Sequence, residues 1–148
     1  LFYPGQKAGL FGDRFIIFSG GDLTYLNGQD ILIAAFKAFQ SRHPEALLLT
    51  AWRFSAEMQF SSDVTGALKN QSQIGNWLLQ NGLPAHTFVD LGAVPYPQLG
   101  QVLREASVAV FANRCEAGMD QYAIASLACG IPTILSANTG HLDLVRHN

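Results

Sequence analysis

Arg14-Phe15-Ile16-Ile17-Phe18-Ser19, closed by Gly20-Gly21, is a short unbroken apolar run bounded by turn residues. Such a run suits a strand buried on both faces, since alternation of apolar and polar residues would mark a strand with one wet face. Working outward, Asp30 to Phe39 carries Ile31, Ala34, Ala35, Ala38 and Phe39 at helical spacing, and Arg42-His43-Pro44 ends it. Ala46 to Trp52 reads as a second buried strand, and residues 53–62 as irregular. A polar helix is expected over 64–81, holding Ile74, Trp77, Leu78 and Leu79 and stopped by Gly82. Strands at 86–91, 107–111 and 132–136 then alternate with helices at 97–106 and 121–129, and a further helix starts at 141–146. About five strands interleaved with helices predict an α/β fold: a doubly wound, Rossmann-like parallel sheet with helices on both faces. Residues 1–12, punctuated by Gly and Pro, read as a leader or interdomain linker, which leaves 13–148 as the folded domain.

Composition narrows the function classes. The chain has 148 residues, 49% hydrophobic and 14% charged, with ten Phe, four Tyr and two Trp, enough apolar material for one packed core. Nine Lys and Arg against eleven Asp and Glu give a net charge of −2, without the basic footprint of a nucleic-acid binder. The longest apolar stretch, Ile31 to Phe36, falls far short of a membrane span, and no signal peptide is visible at the N-terminus. The first residue is Leu, so the chain reads as a piece of something longer. Cys115 and Cys129 fit no metal spacing, and the four histidines (His43, His86, His141, His147) offer no pair at helical spacing. No metal site and no cofactor are expected, and a reducing, cytoplasmic compartment is.

In doubly wound sheets ligands bind beyond the carboxyl ends of the strands, where strand order reverses. That rule selects Gly20-Gly21-Asp22, Trp52-Arg53, residues 91–94, Asn113 to Gln121 and Ala137 to Gly140. Gly20-Gly21 permits close approach of a ligand to the backbone, or is a plain turn; it lacks the spacing of a phosphate-binding glycine motif. Between Asn113 and Gln121 a strand ends, a Gly-containing loop follows and a helix opens near Asp120. Free N–H groups at a helix N-terminus suit a phosphate, with Arg114 as a cation and Glu116 as an acceptor for sugar hydroxyls. The alternative is structural: Asp120 caps the helix, and Arg114 pairs with Glu116 on the surface.

Phe18-Ser19-Gly20-Gly21 followed by Gly28-Gln29-Asp30-Ile31-Leu32-Ile33-Ala34-Ala35-Phe36 resembles the opening of the C-terminal half of GT-B glycosyltransferases, in particular the retaining group often called family four. Residues 106–111, Asn113-Arg114-Cys115-Glu116 and Leu127-Ala128-Cys129-Gly130-Ile131-Pro132-Thr133 are similar to that family's most recognisable stretch, and 138–143 to the loop after it. The resemblance implies a donor-binding half whose partner, an acceptor-binding N-terminal domain, is absent from this chain. It implies binding of a nucleotide-diphosphate sugar without a metal, and transfer of the sugar to a hydroxyl by the whole protein. On this reading Glu116 contacts the sugar. The backbone around Gly118, Met119, Asp120 and Gln121 holds the diphosphate, with Arg114 and Arg53, and Gly20 and Gly21 admit it. Val94 borders the base. No side chain here is an obvious proton-transfer catalyst, so the isolated domain is expected to be inactive.

Departures from the family pattern support a second expectation. The family's basic residues soon after the first strand and before the glycine matching Gly28 are replaced by Gly21, Asp22 and Asn27. The family's second glutamate falls at Ala125, and Asp120 puts a carboxylate where phosphate belongs. Charge-assisted hydrogen bonds contribute roughly 1.5–3 kcal/mol each, so these losses would weaken donor binding on the order of a thousandfold if uncompensated. The alternative is therefore a degenerate, non-catalytic module used for interaction or weak ligand recognition. A phospho-receiver domain is excluded by the absence of paired acids after the first strand and of a Lys after the last.

Overall fold

The computed structural model describes residues 1–54, 68 and 70–145. Five parallel strands, β1 (Phe15–Asp22), β2 (Ala46–Arg53), β3 (Phe88–Asp90), β4 (Val108–Phe111) and β5 (Thr133–Leu135), form one sheet in the order β3-β2-β1-β4-β5. Four α-helices accompany them among the described residues: α1 (Gln29–Gln40), α2 (Ile74–Gln80), α3 (Tyr96–Glu105) and α4 (Gln121–Ala128).

The order dictates the layers. From β1 the chain steps through α1 to β2 and through α2 to β3, moving one way along the sheet. It then returns through α3 to β4 and continues through α4 to β5. Right-handed crossovers taken in opposite directions place α1 and α2 on one face and α3 and α4 on the other. The two buried clusters divide accordingly. Ile17, Leu48 and Trp52 pack with Leu32, Ile33, Phe36, Ile74, Trp77 and Leu78, while Ile16, Phe18, Leu47 and Leu49 pack with Leu99, Leu103, Ala123 and Ala125. Alternate residues of one strand thus serve opposite cores, which is why β1 and β2 read as continuous apolar runs.

The elements fall where the sequence places them, with shifted ends. β1 runs three residues beyond Ser19 because Gly20, Gly21 and Asp22 pair in register with Ala51, Trp52 and Arg53. Of the helix expected over 64–81, 64–67 and 69 lie outside the described residues. The α-helix is Ile74–Gln80, preceded by a 3-10 turn at Gln71–Gln73, and Asn70 before it is extended. The strand expected from residue 86 begins at Phe88, since Ala85–Thr87 forms a 3-10 turn. The helix expected from 141 is a 3-10 turn, Thr139–Asp143, and 146–148 lie outside the described residues.

The leader is fixed to the domain. The Glu105 carboxylate at the end of α3 accepts from the backbone N–H groups of Ala8 (2.6 Å) and Leu10 (3.0 Å), and Phe2 packs edge-on against Tyr96. Two glycines hold the crossing near the site. Gly28 has φ +64°, and a Cβ there would run into the Ala112 carbonyl; a Cβ on Gly20 would run into the Tyr122 ring.

Candidate functional site

Strand order reverses between β1 and β4, so their carboxyl ends splay apart and leave a crevice. A cavity of about 440 Å³ lies there. Its walls are Gly20, Gly21 and Asp22 from the end of β1, Thr24 to Asn27 from the 3-10 turn before α1, Arg53 from β2, and Cys115 to Ala117 and Met119 to Tyr122 from the loop and first residues of α4. Of the residues singled out from sequence, Gly20, Gly21, Arg53, Glu116, Met119, Asp120 and Gln121 are brought together on this cavity.

Gly118, Arg114 and Val94 are not on its walls. Gly118 lies in the same loop with its carbonyl against Gly140. Val94 packs against the core on the α3 and α4 side of the sheet. Arg114 points away: its Nη1 and Nη2 bond the two Asp30 carboxylate oxygens at 2.7 and 2.6 Å, Nη1 also bonds the Tyr25 carbonyl, and the guanidinium lies 4.2 Å from the Tyr25 ring centroid. The surface pair expected between Arg114 and Glu116 is therefore replaced by a pair with the first turn of α1. This pairing holds the Asp30 carboxyl below its ordinary value.

Asp120 caps α4, as the structural alternative had it: Oδ1 accepts from the N–H groups of Tyr122 (2.9 Å) and Ala123 (3.0 Å). The amides of Met119, Asp120 and Gln121 donate to no acceptor among the described residues. Asn113, buried two residues past the end of β4, donates from Nδ2 to Glu116 Oε2 (2.8 Å) and more distantly to Asp120 Oδ2 (3.5 Å). His141, fully buried, places Nε2 3.3 Å from Asp120 Oδ2. Glu116, Asp120 and His141 offer metal-binding atoms within 4.8 Å of one another, but the Asn113 amide already lies against both carboxylates.

At the other wall the last rung of the β1–β2 register sets Asp22 beside Arg53. Arg53 Nε and Nη2 bond Asp22 Oδ1 and Oδ2 at 2.6 and 3.0 Å, which raises the guanidinium's affinity for its proton still further. Asn27, which stands where the resemblance would put a cation, donates from Nδ2 to the Asp22 carbonyl (2.8 Å). Tyr122 closes the floor, stacked on Phe18, and burial pushes its phenol up. Ala125 is buried and offers no side-chain acceptor.

Sequence reasoning missed Tyr25, Tyr122 and His141 as parts of the site; Asp22 and Asn113 fell within the segments it selected but were given no binding role. For Asp22 the signal was present: it ends the first strand, one position past the glycines. For His141 none was, because its partner Asp120 lies on another crossover.

Such a sheet, with a cavity at its switch point and a glycine-lined strand end beside a helix N-terminus, is a Rossmann-like α/β domain. The profile of the family described as glycosyl transferases group 1 matches residues 5–148, and the chain belongs to that family. Solved structures agree on the fold. The C-terminal domain of a group 1 glycosyl transferase, LpcC, from Francisella tularensis superposes with a TM-score of 0.74 at 14% identity, covering 99% of this chain and 73% of that one. Sucrose-phosphate synthase from Thermosynechococcus elongatus gives 0.73 at 22% identity, covering 98% and 34%. Anabaena HepE, solved with UDP and glucose, gives 0.68 at 15% identity, covering 93% and 33%. The chain thus spans about a third of the length of HepE. No curated protein matches it. Among the described residues no helix is long and apolar enough to cross a membrane.

Proposed function

We propose that this chain is the donor-binding half of a retaining glycosyltransferase, which takes a nucleotide-diphosphate sugar and passes the sugar to a hydroxyl held by an N-terminal domain. The observation that carries the reading is the cavity between the ends of β1 and β4, walled by Gly20–Asp22 and by the entry to α4. HepE, which shares this fold, was solved with UDP and glucose in one crystal and with UDP-glucose in another. The amides of Met119, Asp120 and Gln121 supply donors for phosphate oxygens, and Arg53 supplies the cation. A carboxylate has more acceptor sites than Glu116 uses with Asn113, so it can also accept from sugar hydroxyls. The reading calls for no metal ion, because the entry to α4 and Arg53 line the same cavity and would share the charge of a diphosphate. It places the protein in the reducing cytoplasm, consistent with two free cysteines.

One set of observations favours the second reading, a degenerate module. Asp120 occupies part of the α4 N-terminus, Arg114 is held by Asp30, and Ala125 lacks an acceptor. Calorimetric titration of the chain with UDP, GDP and ADP, with and without EDTA, separates the two. Saturable binding unaffected by EDTA supports the donor site; no heat at millimolar nucleotide supports the degenerate module; binding lost in EDTA refutes the metal-free reading.

A further inference from the structure

Three carboxylates, those of Asp22, Glu116 and Asp120, share the cavity walls with one guanidinium, that of Arg53, among the described residues. Arg53 is also committed: two of its nitrogens are bonded to Asp22. The two partners differ in freedom. The Asp22 side chain is 16% exposed, and its backbone carbonyl is held by Asn27 Nδ2 and Gln29 Nε2, whereas the Arg53 side chain is 61% exposed. Asp22 is the fixed member and Arg53 the one able to swing.

We propose that Asp22 is an affinity-lowering residue of the donor site, whose carboxylate competes with the diphosphate of the nucleotide for the Arg53 guanidinium. The inference rests on reading the cavity as a nucleotide-sugar site. An arriving diphosphate gains Arg53 only by taking it from another anion, so one charge-assisted interaction replaces another of similar strength. The exchange also leaves the Asp22 charge bare beside the phosphates, where like charges in a partly enclosed site repel. Both effects act in the same direction. The consequence for turnover is a loose grip on the leaving nucleoside diphosphate, which speeds product release.

Asp22→Asn removes the charge while keeping the size of the side chain, and the backbone carbonyl that Asn27 and Gln29 grip is unchanged. UDP affinity of the wild-type chain, Asp22→Asn, Asp22→Ser, Arg53→Ala and the double variant Asp22→Asn/Arg53→Ala is measured by calorimetry across a sodium chloride series. Tightening of about tenfold is expected for Asp22→Asn, equivalent to about 1.4 kcal/mol. It should come with a steeper loss of affinity as salt rises, because an unpaired guanidinium then faces the phosphates. Asp22→Ser should behave likewise, Arg53→Ala should weaken binding because it removes the cation and leaves the Asp22 charge bare on the cavity wall, and the double variant should lose the gain made by Asp22→Asn. A structural lesion does not tighten binding, so the sign of the change is diagnostic. If the wild type binds UDP and neither Asp22 variant binds it more tightly, Asp22 does not compete and the inference falls while the donor reading stands. If neither the wild type nor any variant binds UDP, GDP or ADP, the donor reading falls and takes the inference with it.

Discussion

Arg114 and Asp30 form a two-pronged ion pair, with Nη1–Oδ1 at 2.7 Å and Nη2–Oδ2 at 2.6 Å, which ties the loop after β4 to the first turn of α1. The two elements meet at the mouth of the cavity, so this pair shapes the site without facing it. Its cation, which a family resemblance assigns to a diphosphate, is used to hold two crossovers together.

Arg114→Ala is therefore expected to lower stability by about 1 kcal/mol, since the pair is well formed but partly exposed and screened. The pH dependence has a definite sign. The folded pKa of Asp30 is depressed, so the pair's contribution is complete above the unfolded carboxyl value near about 4 and fades as pH falls through the lower folded value. Thermal melts from neutral to acid should show the gap between wild type and Arg114→Ala closing at low pH. Nucleotide affinity should change far less than it does on altering Asp22.

Asp90 runs the other way. Burial raises its carboxyl, while the Thr50 hydroxyl (2.8 Å) and the Gly92 N–H (3.2 Å) hold its charged form in place. A raised folded pKa means the native state binds the proton more tightly than the unfolded chain does. Stability then falls as pH rises from the unfolded value through the folded one, and the penalty is complete above that. Asp90→Asn keeps an oxygen for both donors and removes the desolvated charge. It should stabilise the chain at neutral pH and make no difference in acid, as read by paired melts.

Glu105→Ala tests the clamp on the leader. Two backbone N–H groups, of Ala8 and Leu10, lose a buried charged acceptor, a loss of about 2–3 kcal/mol. Urea denaturation should register it, and amide exchange at residues 8 and 10 should speed up before that of the sheet.

Gly20→Ala should fail by collision with Tyr122, at a cost of about 1–3 kcal/mol typical of overpacking. Adding Tyr122→Ala to it should restore part of the loss relative to Tyr122→Ala alone. Equal losses with and without the ring would mean that the glycine is needed for its backbone and not for space.

The sheet was legible because β1 and β2 are buried on both faces and carry little but apolar side chains, and because Gly and Pro mark the crossovers. The Asp120 cap was legible too, as it is a local pattern at a helix start. Partners distant in sequence were not: Arg114 meets Asp30 eighty-four positions away, where its neighbour Glu116 looked the simpler mate. Glu105 likewise gave no sign that residues 1–12 would be fastened to α3, since Gly and Pro in a segment say nothing of what it packs upon. Val94 followed a strand and so qualified as a cavity residue, but its side chain packs into the core instead. Asp22 was selected with the end of the first strand and otherwise read as a missing cation; the β1–β2 register that sets it against Arg53 appears once the strands are paired.

A two-dimensional NMR titration of the chain with UDP, GDP and ADP at low salt tests the donor site most directly. Binding at the switch point predicts shifts confined to the amides of Gly20, Gly21 and residues 115–122, strongest for the nucleotide whose base fits. Absence of shifts at millimolar concentrations of all three, or shifts scattered away from the ends of β1 and β4, would contradict it.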